Sequence, residues 1–110
     1  MSINATLTAA MRPVGPVHAD TYEGPEEVYL TFNYNSIPTD YGDDEPSHER
    51  FLVQAHLFAP IGYNTVALRK AVKKALHGAG ATWPSMENAS DKDGQHLVFE
   101  CEMVEAVGVE

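Results

Sequence analysis

From Ile3 to Met11 the residues Ile3, Leu7, Ala10 and Met11 recur at helical spacing among smaller and polar positions. That stripe predicts a short amphipathic helix, with Ser2 or Asn4 to cap it and Pro13 to stop it. Val14 to Ala19 follows among prolines and glycines and predicts a short strand; Pro16, lacking an N–H, confines it to a sheet edge. The period then falls to two. In EEVYLTFNY, Val28, Leu30, Phe32 and Tyr34 share one face and Tyr29, Thr31 and Asn33 the other. β-branched and aromatic residues dominate, so this is a strand.

The next fifteen residues, NSIPTDYGDDEPSHE (35–49), have no apolar period and contain two prolines and a cluster of acids. They predict a long acidic loop, or the tip of a long hairpin. Alternation returns in ERFLVQAHLFAP, with Phe51, Val53, Ala55 and Leu57 on one face. Arg50, Leu52, Gln54, His56 and Phe58 form a partly apolar second face. After Pro60 and Gly62, Asn64 or Thr65 caps a helix running to about His77, with Leu68, Ala71, Val72, Ala75 and Leu76 as its apolar side and Gly78 as the residue that ends it. GATWPSMENASDKDG reads as a connector. In QHLVFECEMVE, Leu97, Phe99, Cys101 and Met103 point one way and Val98, Glu100, Glu102 and Val104 the other.

The order helix, short strand, strand, strand, helix, strand predicts one α+β domain over residues 1–110. Two helices cover one face of an antiparallel or mixed sheet of three to four strands. A chain of 110 residues with 44% apolar content suits a single core. Its longest apolar runs are too short to span a bilayer, and MSINATLTAAMRPVG does not have the layout of a signal peptide, so a soluble, non-secreted protein is expected.

Charge adds a second pattern. The net charge is −9, which argues against binding nucleic acid through its phosphates. Nine acids and no Lys or Arg lie between Asp20 and Glu49, whereas Arg69, Lys70, Lys73 and Lys74 crowd onto one helix. Such a dipolar protomer is suited to contacting copies of itself head to tail. The candidate contact residues are Asp40, Tyr41, Asp43, Asp44 and Glu45 on the acidic side and Arg69, Lys70, Lys73 and Lys74 on the basic side. Trp83 joins them, either as a connector residue packed over the core edge or as an interface anchor.

Candidate chemistry is sparse. ASDKDGQHLVFE (89–100) matches four positions of a calcium-binding EF-hand loop, through Asp91, Asp93, Gly94 and Glu100. The first ligand position is Ala89, however, and Glu100 belongs to an alternating strand, over 20 Å from Asp93 at about 3.3 Å per residue. The stretch therefore predicts a polar turn followed by a strand. Of the five histidines, His56 and His96 both fall on strands and become neighbours if those strands pair; two imidazoles are too few for a closed zinc site. Cys101, the single cysteine, sits on an apolar strand face and reads as a core residue. No GxSxG, GxxxxGK[ST] or GxGxxG occurs. No catalytic, cofactor or metal residues are assigned, and a non-enzymatic protein is expected.

The stretches VYLTFNYNSIP, ERFLVQAHLFAP, NTVALRKAVKKALHGAGATWP and DKDGQHLVFECEM, in that order across Glu26 to Met103, resemble the small tail-completion or tail-terminator proteins of long-tailed bacteriophages and prophages. The resemblance implies an α+β protomer that forms a ring, often a hexamer, at the head-proximal end of the tail tube. It implies a structural virion protein assembled in the host cytoplasm, with the major tail protein and the head–tail connector as partners. DNA would pass through the lumen without specific binding, and no membrane is involved. No catalytic residues come with the family. The alternatives are another neck or tail component, such as a head–tail stopper or minor tail protein, and a small metal- or ligand-binding regulator using His56 and His96.

Overall fold

The structure, a computed structural model, describes residues 2–42 and 45–106, with side chains described over 2–37 and 49–104. It contains helix α1 (Ile3–Met11), strands β1 (Val17–Ala19), β2 (Tyr29–Gly42) and β3 (Glu45–Ala59), helix α2 (Val66–Gly78), and strands β4 (Ser85–Asn88) and β5 (Gln95–Ala106). The strands form one mixed sheet in the order β1-β2-β3-β5-β4, in which β1–β2 is parallel and β2–β3, β3–β5 and β4–β5 are antiparallel.

Local sequence explains the helix ends. Ser2 accepts from the Ala5 N–H at 3.2 Å and caps α1. At α2 the Asn64 side chain accepts from the Val66 N–H at 3.1 Å. The predicted terminator Gly78 is instead the last helical residue. Gly80, at φ +103°, takes the position beyond the cap, where a Cβ would strain the backbone. The Gly80 N–H donates to the His77 carbonyl and the Ala81 N–H to the Leu76 carbonyl, the paired bonds of a Schellman ending.

The core lies between the helices and one sheet face. Ile3, Leu7 and Met11 of α1 and Val72 and Leu76 of α2 meet Leu30, Phe32, Phe51, Val53, Ala55, Leu57, Leu97, Phe99, Cys101 and Met103. Across the sheet Phe32 stands opposite Ala55, and Ala55 opposite Phe99, so a small residue separates two large rings. Cys101 is buried, and burial pushes its thiol up to about 11, which leaves it a packing residue rather than a nucleophile.

Of the two readings of 35–49, a long loop or the tip of a long hairpin, the hairpin holds: its described residues belong to β2 and β3, whose ladder runs from Tyr29↔Phe58 to Gly42↔Glu45. The prolines are tolerated because the sheet has thinned there. Pro38 lies past the last β1 partner, Phe32, and Pro46 past the last β5 partner of β3, His48, so each has an unpaired side. Two expectations are corrected. The sheet has five strands rather than three to four, because Ser85–Asn88, expected to be connector, pairs with Leu97–Glu100. The acidic residues of 20–49 do not form one patch. Glu23, Glu26 and Glu27 precede β2, whereas Asp40 and Glu45 lie at its far end; Tyr29 to Gly42 spans about 43 Å of extended chain.

The extended β2–β3 ribbon elongates the molecule to 54 × 23 × 22 Å. Its radius of gyration is 15.0 Å, against about 13 Å for a compact chain of this length.

Candidate functional site

Among the described residues no helix or second sheet covers the sheet face opposite the two helices. Alternation brings Tyr29, Thr31, Asn33, Asn35 and Ile37 of β2 there, with Arg50, Leu52, Gln54, His56 and Phe58 of β3 and His96, Val98, Glu100, Glu102 and Val104 of β5. Two regions differ in chemistry. Toward the hairpin, Ile37 (39% exposed), Leu52 (36%) and Val104 (58%) are exposed apolar side chains set around the Arg50–Glu102 ion pair at 3.4 Å, with Arg50 between Ile37 and Val104 and Glu102 beside Leu52.

At the other end a band of rings crosses four strands' worth of sheet. His18 stacks on Tyr22 (4.0 Å between centroids), Tyr22 leans on Tyr29 (4.9 Å), Tyr29 stacks on Phe58 (4.9 Å) and Phe58 on His96 (4.4 Å). Tyr22 reaches the band because Asp20, at φ +63°, turns the chain after β1.

Two histidines finish the band. The His56 Nδ1 and His96 Nε2 atoms lie 2.8 Å apart, and His56 Nε2 lies 2.9 Å from Asn33 Oδ1. The amide oxygen only accepts, so His56 Nε2 carries the proton, His56 Nδ1 is a bare acceptor, and His96 Nε2–H donates to it. Burial lowers the pKa of His56, and the charge of His96 lowers it further. Burial lowers that of His96 as well, with Asp91 acting in the opposite sense. The folded state thus favours neutral imidazoles, whereas the unfolded chain takes up protons below about pH 6.5. The stability these groups confer is full above pH 6.5 and is lost as pH falls below it. Melting temperatures followed by circular dichroism should therefore decline from pH 7.5 to 5. The decline should be shallower in a His56→Gln/His96→Gln protein; equal slopes would refute this source of pH dependence.

Beside His96 a cleft of about 470 Å³ is lined by Glu27, Tyr29, Phe58, Asp91, Asp93 and Gln95, among others. Gln95 also ties the start of α2 to the sheet. Its Nε2 donates to the carbonyls of Pro60 (2.9 Å) and Tyr63 (2.7 Å), and its Oε1 accepts from the Thr65 hydroxyl (3.1 Å).

The residues expected to make contacts do not converge within one chain. Asp40 and Tyr41 are on β2 and Glu45 on β3, with side chains outside the described residues; Asp43 and Asp44 lie outside them altogether. Lys70 and Lys74 are exposed on α2, Lys73 and Arg69 half-buried, and the Arg69 Nε donates to Thr65 Oγ1 at 3.0 Å. Trp83 does not pack over the core edge. It is 55% exposed and sits edge-on to His77, while Pro84 beside it is buried.

The EF-hand-like stretch is a turn and a strand. Asp91 and Gly94 bridge across Lys92-Asp93, the Asp91 side chain accepts from the Asp93 N–H at 2.8 Å, and Glu100 pairs with Gln54 and Ser85. Among the described residues no group of three or more His, Cys, Asp or Glu is placed to hold a metal ion, and no helix is long and apolar enough to cross a membrane.

Neither the protein-family models nor the curated proteins match this sequence. Among solved structures, one chain superposes with a TM-score of 0.62, covering 98% of this chain and 95% of that one at 13% sequence identity. At that identity the likeness concerns the fold alone, and it agrees with a small α+β domain.

Proposed function

We propose that the chain is a structural subunit that assembles into a ring at the head-proximal end of a long phage tail, ending tube growth and joining the tail to the head around the DNA. The observation that carries this is the distance between the acids of the hairpin end and the basic helix α2, whose start is also neighboured by Glu27, Asp91 and Asp93. Asp40 and Glu45 lie at one end of β3, and Thr65 and Gln95 hold the first turn of α2, with Arg69, beside the other end. The fifteen residues of β3 span about 46 Å at roughly 3.3 Å per residue. In this reading the acidic hairpin end of one copy meets the basic α2 of the next. A contact between unlike surfaces of identical subunits closes into a ring when its rotation permits.

The uncovered sheet face supports the same reading. Ile37, Leu52 and Val104 expose apolar side chains around the Arg50–Glu102 pair, a mixed surface that a neighbouring subunit covers in this reading. An acidic overall charge suits a conduit through which DNA must slide without sticking.

Reversing Lys70, Lys73 and Lys74 to Glu together should lower the mass of the assembled species in low salt, read by light scattering. Rings seen by negative-stain microscopy with the wild-type chain should be lost. Rings of unchanged size and abundance in the triple variant would refute the charge pairing.

A further inference from the structure

We infer that His56 and His96 form a two-nitrogen chelate on the open sheet face that takes a divalent transition metal preferring right-angled coordination, of the Cu(II) or Ni(II) class. Three observations carry it. The first is spacing. Metal–imidazole bonds are about 2.0–2.1 Å, so two nitrogens at right angles around one ion lie about 2.9 Å apart, and at a tetrahedral angle about 3.3 Å. The 2.8 Å between His56 Nδ1 and His96 Nε2 fits the right-angled pair, as in tetragonal copper and nickel sites.

The second is orientation. Ligating histidines donate their second ring N–H to an acceptor, which fixes the tautomer. Asn33 Oδ1 already does this for His56. Phe58, stacked 4.4 Å from His96 at 19°, restrains the second ring.

The third is proton balance. A metal bound between the rings displaces the hydrogen on His96 Nε2. That proton moves to His96 Nδ1, the other nitrogen of the same ring. Each imidazole keeps one hydrogen, so binding near neutral pH releases none. The two rings supply two positions only, and water or a group entering the adjoining cleft completes the shell. The site is therefore an open one of moderate affinity, distinct from a closed structural zinc site, and it does not depend on ring assembly.

The test is titration of the full chain with Cu(II) in a weakly coordinating buffer, followed by calorimetry and electron paramagnetic resonance. One equivalent should bind with hyperfine splitting from two nitrogens. His56→Gln and His96→Gln should each weaken binding at least about tenfold, Asn33→Ala should weaken it about tenfold, and His77→Gln should leave it unchanged. Substoichiometric Cu(II) on the wild-type chain should broaden the imidazole resonances of His56 and His96 together, a readout that needs no variant to fold. Broadening centred on His18, on His77 or on only one of the pair would overturn the proposal, as would wild-type affinity in His96→Gln.

Discussion

Phe99→Ala is expected to destabilise the protein by about 3–5 kcal/mol, a loss typical of a buried Phe truncated to Ala. Phe99 is fully buried and lies on the central row of the sheet, with Ala55 on one side and Met86 on the other. Ala55 is too small to fill the space its neighbour vacates, and the ring of Phe32 lies beyond it on a different strand. The cavity would thus stay largely open. Since a whole domain is stable by only about 5–15 kcal/mol, the variant should sit near its unfolding midpoint under mild denaturant. Urea unfolding would show a midpoint shifted down with an unchanged slope. Val98→Ala, on the uncovered face, is the control and should cost less than about 1 kcal/mol. Equal losses at positions 98 and 99 would mean that the wrong face has been assigned to the core.

Replacing residues 38–49 with an Asn-Gly turn should do the reverse, abolishing assembly while sparing the fold. The cut leaves Ile37 opposite Arg50 and keeps the β2–β3 register from Tyr29 to Ile37, and with it the buried positions Leu30, Phe32, Phe51 and Val53. Asn-Gly suits a two-residue hairpin loop. A melting temperature within a few degrees of wild type, with a light-scattering mass fallen to that of one chain, is the expected outcome. An assembly that survives the cut would show that the hairpin end is not a contact surface, and the charge-pairing proposal would fall with it.

What the sequence revealed follows where the helices lie. Wherever a strand has a helix over one face, that face must be apolar and the period is plain, as in Leu30-Phe32, Phe51 to Leu57 and Leu97 to Met103. Residues 35–49 lost the signal because most of them run past β1 and toward or beyond the end of β5, so little forces an apolar alternation on them. The β4 strand escaped because it is a four-residue edge with one core-packed side chain, Met86. His56 and His96 were visible as strand residues, but their meeting depends on the register that sets His56 opposite Val98 and His96 opposite Phe58. Asn33 gave no signal, since an Asn on a polar strand face has nothing to distinguish it. The turn at Asp91–Gly94 was legible because Asp-Gly and the alternation after it agree.

The strand order β3-β5-β4 also has a consequence for synthesis. Leu97, Phe99, Cys101 and Met103 pair with β3 residues about 40 to 52 positions earlier, across the whole of α2, and β4 is joined to the sheet through β5. The β2–β3 ribbon closes by local contacts and can form before β5 is available. Everything on the far side of β3 must wait for residues 95–106. Until then Phe51, Val53, Ala55 and Leu57 show a bare strand edge beside an apolar face, which makes the nascent chain most vulnerable to chaperone capture, or to mispairing with another copy, just before its last strand emerges.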